Sequence, residues 1–315
     1  MPSRVHVVSH GPHCLDGVTA AAAVARFYEG RAEVVPHFAS NSEIDAVLQG
    51  LALEPPADRE LWITDISWKR PETDAHLRRL AERGMRLYWI DHHRTALERA
   101  KAGGVDVPFT ATVLSEDYAA SRLVFEHLRE RAAREPDVSA HFADFAPVVA
   151  MADDNDRWLH RVPGSRELAW VVRALGPDSF EDIANLGPEV RYTPRMQAAR
   201  DRVGAEIARS MAVAEQSRRE RRLGGVTLVA AMCDGHPSEV ADAWGKQASN
   251  TVFALYDAKS LAVSLRRSPD CRVDLSRIAA ALGGGGHAAA AGCELPELRE
   301  LLSGLVLDRV AEKLP

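Results

Sequence analysis

Long apolar runs are missing from this 315-residue sequence. None approaches the 18 residues of a membrane-spanning helix, although hydrophobic residues make up 46% of the chain. Cysteine is sparse: Cys14, Cys233, Cys271 and Cys293 stand far apart with no CxxC pair. That spacing argues against a disulfide framework or a structural zinc knuckle. Positive charge is not in excess, with 39 Lys and Arg against 45 Asp and Glu and a formal charge of −6. Broad electrostatic capture of long duplex DNA is therefore disfavoured. A small anionic substrate is not, because metal ions or a local basic patch can reverse the field within one cleft. The opening MPSRVHVV lacks the charged and apolar regions of a signal peptide. The expectation is a cytoplasmic protein without membrane contact. There is no internal repeat and no low-complexity segment, and the length suits one large or two modest domains.

What is present is an alternation of apolar runs and helical patterns. VHVV (5–8) leads into a helix over 18–28, and LWITDI (61–66) and RLYWID (86–91) enclose a helix over 72–83. This rhythm predicts an α/β fold with a mainly parallel sheet flanked by helices. Helical patterns return at 119–134 and 140–152, and Pro163-Gly164 and Gly176-Pro177 punctuate a second helical group. A charged stretch over 194–222 reads as one solvated connecting helix. Beyond Gly224-Gly225, strands are predicted at 226–232, 251–257 and 261–267, then a Gly-rich loop at 283–286 and a C-terminal helix. The expected organisation is an N-terminal domain over 1–190, a connecting helix over 191–223 and a smaller C-terminal α/β domain over 224–315.

Four polar clusters stand at or near predicted strand ends or inside a helix. They are the SHGPHCLD turn (9–16), Asp65 after LWIT, Asp91-His92-His93 after LYWI, and ADDNDRW (152–158). Each has an ordinary explanation taken singly. Asp65 could cap the following helix, His92 or His93 could be a hydrogen-bonded core histidine, and the Asp run at 153–156 could be a solvated helix face. Their combination is harder to dismiss, since the carboxyl ends of strands are where open α/β sheets bind ligands. Carboxylates converging there repel one another unless cations hold them, and Asp with His suits Mn²⁺ or a similar divalent ion.

These motifs resemble the DHH phosphoesterases that carry a C-terminal DHHA1 domain. HGPHCLDG, TDIS, DHHRT, DDNDRW, SLRRS and GGGGHAAAAG stand in that family's order across nearly the whole chain. DHH alone is a short match, but DHH after an apolar strand with GGGGHxxAAG about 190 residues later is specific. Within the family the chain looks closest to the short-oligonucleotide nucleases, or nano-RNases, and is RecJ-related. The resemblance implies two divalent metal ions, usually Mn²⁺. Residue by residue, His10, Asp16, Asp65 and His92 match family ligands, with Asp65 as the bridging carboxylate. Asp156 fits the fourth cluster, with Asp154 as the alternative. Asp91 matches a position that orients the histidines, and His93 one near the scissile phosphate.

The departure is Cys14, which stands where many relatives read Asp in His-x-x-x-Asp-x-Asp. A thiolate is softer than a carboxylate and favours Fe²⁺ or Zn²⁺ over Mn²⁺. Three readings remain open. Cys14 ligates a metal, or it is a neutral wall residue with water or His13 supplying the ligand, or one metal site is degraded and turnover is impaired.

The activity the family implies is in-line attack on a phosphodiester by a hydroxide activated between two metal ions. The substrate would be a short single-stranded oligonucleotide or a dinucleotide, held between the two domains and cleaved to 5′-mononucleotides. In the second domain Gly284, Gly285 and Gly286 would let backbone N–H groups approach a phosphate. His287 and Arg266 match family substrate contacts, a guanidinium suiting phosphate geometry, with Arg267 the substitute if the register shifts by one. Trp62, Trp89 and Trp158 read as packing residues rather than base-stacking platforms. Residues 236–239 read as a helix entry capped by Ser238, and Cys233, Cys271 and Cys293 as small buried residues. Rival activities are a phosphatase on 3′-phosphoadenosine-5′-phosphate, a polyphosphate hydrolase, and a nucleotide-binding regulatory protein with impaired turnover. A homodimer would accord with the family.

Overall fold

The VHVV run and its apolar partners form the middle of a five-stranded sheet: β1 (Arg4–His10), β2 (Glu33–Ala39), β3 (Asp58–Thr64), β4 (Arg86–Asp91) and β5 (Ala111–Leu114). Its order is β2-β1-β3-β4-β5, and every neighbouring pair is parallel. The computed structural model describes residues 4–54, 57–135 and 137–314, in two compact units over 1–201 and 202–315. The sequence-based divisions at 190 and 223 fall on either side of that boundary.

Eight helices of the first unit follow in chain order. They are α1 (Leu15–Tyr28), α2 (Ile44–Gly50), α3 (Pro71–Glu82), α4 (Arg94–Lys101), α5 (Ala120–Ala132), α6 (Ala146–Asp156), α7 (Ser165–Leu175) and α8 (Ser179–Ala184). Alternate strand residues enter two cores. Trp62, Tyr88 and Ile90 pack with α1 and α5 to α8, whereas Leu61, Ile63, Leu87 and Trp89 pack with α2, α3 and α4. Both faces are covered, which is why these strands read as unbroken apolar runs. Helix α1 is buried along most of its length; its alanine run, Ala20 to Ala23, lets α5, α6 and α8 come close.

Two strands of this sheet were not anticipated. The β2 segment contains Pro36, which weakens a strand reading, and Pro36 is tolerated because β2 is an edge strand paired only to β1. The β5 segment is only four residues long.

Helix α9 (Pro194–Ser217) begins in the first unit and ends in the second. The second unit then forms β6 (Arg219–Leu223), β7 (Val226–Cys233), α10 (Pro237–Gly245), β8 (Thr251–Asp257), β9 (Ala262–Arg267), α11 (Leu275–Ala281), β10 (Gly285–His287), β11 (Ala290–Glu294) and α12 (Glu297–Ala311). The sheet order is β10-β11-β9-β8-β7-β6, parallel only between β7 and β8. Val229, Cys233, Phe253 and Leu255 pack with α10 on one face, and Val263, Leu265, Ala291 and Cys293 with α11 on the other. Cys233, Cys271 and Cys293 are buried, as expected.

Two expectations are corrected here. The helix predicted over 194–222 stops at Ser217, and Arg219–Leu223 turns back as β6 against β7 through Gly224-Gly225. Every β6 residue is exposed on an edge strand, where charge blocks further strand pairing; its charge run carries no alternation to mark it. The GGGG segment is not an open loop either. A Cβ at Gly284 would lie 2.1 Å from the Gly292 carbonyl oxygen, and one at Gly286 would lie 2.6 Å from the Ala291 Cα. Those two glycines permit the close approach of β10 to β11.

Candidate active site

In the order β2-β1-β3-β4-β5 the chain leaves β1 toward β2 but leaves β3 toward β4, in opposite directions, so a crevice opens at the carboxyl ends of β1 and β3. The polar clusters meet there. His10 ends β1, Cys14 and Asp16 begin α1, Asp65 follows β3, Asp91 ends β4, and Asp156 ends α6. Gly17 makes the first turn of α1 possible: a Cβ there would lie 1.9 Å from the His10 carbonyl oxygen and 3.0 Å from Asp65 Oδ2. Asp65 itself adopts φ 58°, a left-handed conformation uncommon outside glycine.

Asp65 stands between two donor groups. Its Oδ2 lies 3.6 Å from His10 Nδ1 and 3.6 Å from Cys14 Sγ. Its Oδ1 lies 3.3 Å from His92 Nε2 and 4.0 Å from His93 Nδ1. His92 Nε2 is in turn 3.8 Å from Asp16 Oδ2 and 3.6 Å from Asp156 Oδ2. Three overlapping triads result, His10/Cys14/Asp65, Asp65/His92/His93 and Asp16/His92/Asp156, each with donor atoms within 4.8 Å of one another.

The electrostatics are those of a site with too much buried negative charge. Burial and then the charges of Asp65 and Asp156 push the Asp16 carboxyl well above its ordinary range. Burial and Asp65 likewise raise Asp156, and burial with Asp65 and Asp16 raises the Cys14 thiol. Asp65 goes the other way: burial alone would raise it, but the imidazoles of His10, His92 and His93 outweigh that and hold it at about 2. Burial works against a charged His92, yet Asp65, Asp16 and Asp156 together lift it to about 9.

The surrounding residues fix this cluster. Asp16 accepts the backbone N–H groups of Ala120 (2.8 Å) and Ser121 (2.9 Å), capping α5, whose own N-cap residue Ala119 has no side-chain acceptor. Asp153 accepts the Ala119 N–H at 2.8 Å and pairs with Arg122 at 3.2 Å and Arg157 at 3.5 Å. Asp154 is occupied by the Arg161 N–H (2.7 Å) and Ser165 Oγ (2.6 Å), whereas Asp156 stands in the cluster. His13 is not brought in; its Nδ1 bonds the Arg173 carbonyl at 3.0 Å. One oxygen of Asp91 takes the N–H groups of His92 and His93 and the His93 Nδ1 at 2.7 Å. The other takes Ser67 Oγ at 2.5 Å, and Ser67 accepts Trp89 Nε1 at 3.0 Å. Hydrogen bonding to Asp91 raises the His93 pKa. Sequence reasoning passed over Ser67 and Gly17, whose partners are distant in sequence; the only signal was their place inside the TDIS and HCLDG motifs.

In the second unit, Arg266, Gly285 and Gly286 line a cavity of about 410 Å³ together with Ser264 and Asp257. Gly284 and His287 share the hairpin but not the cavity lining, and His287 is exposed. Arg266 donates to Ser238 Oγ at 2.9 Å, and burial lowers its pKa. Ser238 is therefore not the cap of α10; His236 holds that position at φ 54° without a capping bond from its side chain. Arg267 points elsewhere, to the Val273 carbonyl. Trp62 and Trp89 are packing residues, but Trp158 is 50% exposed, contrary to expectation. A cavity of about 750 Å³ beside Met151, Val162 and Tyr192 contains none of the converging donors.

Residues 227–312 match the DHHA1 domain family, and the fold is that of the DHH phosphoesterases with a DHHA1 domain. Over nearly its whole length the chain is similar to the DHH/DHHA1 phosphoesterases. It is 27% identical over 308 residues to oligoribonuclease NrnB of Bacillus subtilis strain 168, covering 93% of this chain and 73% of that protein. Its fold is shared with the pGpG-specific phosphodiesterase PggH from Vibrio cholerae (TM-score 0.59, 13% identity, 98% and 99% coverage). Exonuclease RecJ bound to manganese has it too (TM-score 0.51, 17% identity, 100% and 91% coverage). No helix among the described residues is long and apolar enough to cross a membrane.

Proposed function

We propose that the protein is a metal-dependent phosphodiesterase that hydrolyses short single-stranded oligonucleotides, dinucleotides included, to 5′-mononucleotides. The observation that carries this reading is Asp65, whose two carboxylate oxygens face two different donor groups. His10 and Cys14 would hold one divalent ion with Oδ2, and His92, Asp16 and Asp156 a second with Oδ1. The residues fit such ions, because Asp16, Asp156 and Cys14 are each pushed toward protonation by burial and neighbouring charge, a conflict that cations relieve. When bound, a pair of divalent ions supplies activation of water and neutralisation of phosphate charge.

The chain's own groups do the positioning. Asp91 holds the Nδ1 proton of His93, leaving Nε2 for a phosphate or leaving-group oxygen. Ser67 holds the second Asp91 oxygen, so the carboxylate cannot rotate away. In the second unit Arg266 and the glycine hairpin offer a guanidinium and backbone N–H groups for phosphate. The likeness to an oligoribonuclease and to a dinucleotide phosphodiesterase supports the substrate class, and the manganese of RecJ supports Mn²⁺. The Cys14 thiol pulls toward Fe²⁺ or Zn²⁺.

The test is AMP release from pApA by metal-stripped protein with Mn²⁺, Fe²⁺ or Zn²⁺ restored separately and Asp65→Ala as the blank. Metal-dependent release that disappears in the blank is expected. Release by Asp65→Ala would overturn the mechanism; no release with any metal would turn attention to 3′-phosphoadenosine-5′-phosphate and polyphosphate.

A further inference from the structure

We infer that Trp158 is a platform on which a nucleobase of the substrate stacks, beside the carboxylate–imidazole cluster of the first unit. The inference rests on the phosphodiesterase reading for the identity of its ligand. Trp158 is 50% exposed, whereas Trp62, Trp68, Trp89 and Trp244 are at most 9% exposed and lie in the cores. A lone exposed aromatic is ordinary, but this one is held outward by an unusual backbone. Trp158 has φ 55° and His160 has φ 50°, two left-handed non-glycine residues within three positions. A bulky side chain in that region is a true outlier, and such strain persists only where the surroundings impose it.

Here the surroundings do impose it. The N–H groups of Arg157, Trp158 and Leu159 bond back to the carbonyls of Asp153, Asn155 and Asp154 at 3.2, 3.0 and 2.9 Å. The Asp154 carboxylate then grips the far side of the loop through the Arg161 N–H and Ser165 Oγ. That gives a role to the aspartate the metal cluster leaves out. The loop starts at Asp156, so the Cα of Trp158 lies no more than about 8 Å from that of Asp156.

The ring is supported as well as exposed. The His160 ring packs at 4.5 Å with a 59° tilt, and the Arg166 guanidinium lies 5.6 Å from the ring centroid. An indole braced in this way is pre-organised for stacking, and base–aromatic stacking tolerates any base. Tyr118, another exposed ring near the cluster, is a poorer candidate because the Arg122 guanidinium already covers it at 3.9 Å.

The experiment uses Trp158→Ala, Trp158→Phe and Trp158→Gly. The glycine variant removes the ring while relieving the left-handed strain, so it folds even where alanine does not. First, tryptophan emission is followed as AMP is titrated into metal-stripped protein in EDTA. Quenching is expected in the parent and absent in Trp158→Gly. Second, with Mn²⁺ restored, KM for pApA should rise about tenfold in Trp158→Gly and Trp158→Ala. The kcat should stay within about twofold, and Trp158→Phe should recover most of the affinity. Quenching and KM both unchanged in Trp158→Gly would overturn the platform. The two readings fail separately: quenching that needs Trp158 without hydrolysis of any oligonucleotide keeps the platform and removes the phosphodiesterase, whereas hydrolysis with unaltered KM and quenching does the reverse.

Discussion

Cys14 carries the sharpest question at the scale of single residues. Its sulfur lies 3.6 Å from Asp65 Oδ2, in the triad with His10, and His13 is turned away to the Arg173 carbonyl. Of the donors that could complete the His10 side, the thiol is the one in place. Replacing it with aspartate should exchange a soft ligand for a hard one. Cys14→Asp is expected to move the order of activating metals toward Mn²⁺, read from AMP release and from metal-induced thermal shifts. An unchanged order would show that the thiol binds no metal. The convergence of His10, Asp65 and His92 was legible in the sequence because each stands at the end of an apolar strand run, and that of Asp16 because it closes the SHGPHCLD turn. Their supports were not. Ser67 matters through Asp91, 24 residues away, and Gly17 through the His10 carbonyl that folding brings against it.

At the scale of elements, the first turn of α3 shows how a cap can come from outside the helix. Arg70 stands at its N-cap with no side-chain bond. Asp45 of α2 supplies the acceptor instead, taking the N–H groups of Lys69 (3.1 Å) and Arg70 (3.0 Å) and the Thr73 hydroxyl (2.6 Å). Burial alone would raise the Asp45 carboxyl, but these bonds outweigh it and hold it below the ordinary carboxylate range. A depressed folded-state pKa means stability that is present above the unfolded value near 4 and is lost as pH falls through the folded value. Asp45→Ala should therefore cost about 1–2 kcal/mol at neutral pH in urea unfolding, and the gap to the parent should narrow at about pH 2. A gap that held constant across that range would mean the loss is packing rather than charge. No sequence pattern announces such a cap, because its acceptor and donors are 24 and more residues apart. The same limit explains β2 and β6: Pro36 and the charged run from Arg219 are permitted by edge positions, which exist only once the sheets are assembled.

For the whole molecule, the division into two units gives metal binding a place in the unfolding behaviour. Every proposed ligand, from His10 to Asp156, lies in the unit over 1–201, which has its own two cores. The unit over 202–315 has cores of its own and none of these ligands. A ligand that binds only the folded state stabilises by RT ln(1 + [L]/Kd), about 2.7 kcal/mol at a hundredfold excess over Kd. The apo cluster, with its crowded buried carboxylates, should be the weaker state. Calorimetry in EDTA and then in excess Mn²⁺ is expected to show one transition moving upward by several degrees while the other stays. Asp65→Ala should abolish that shift, since it removes the carboxylate that faces both donor groups. Equal movement of both transitions would mean that the units unfold as one. No movement at any metal concentration would mean that the cluster holds no such ion, and the phosphodiesterase reading would fall with it.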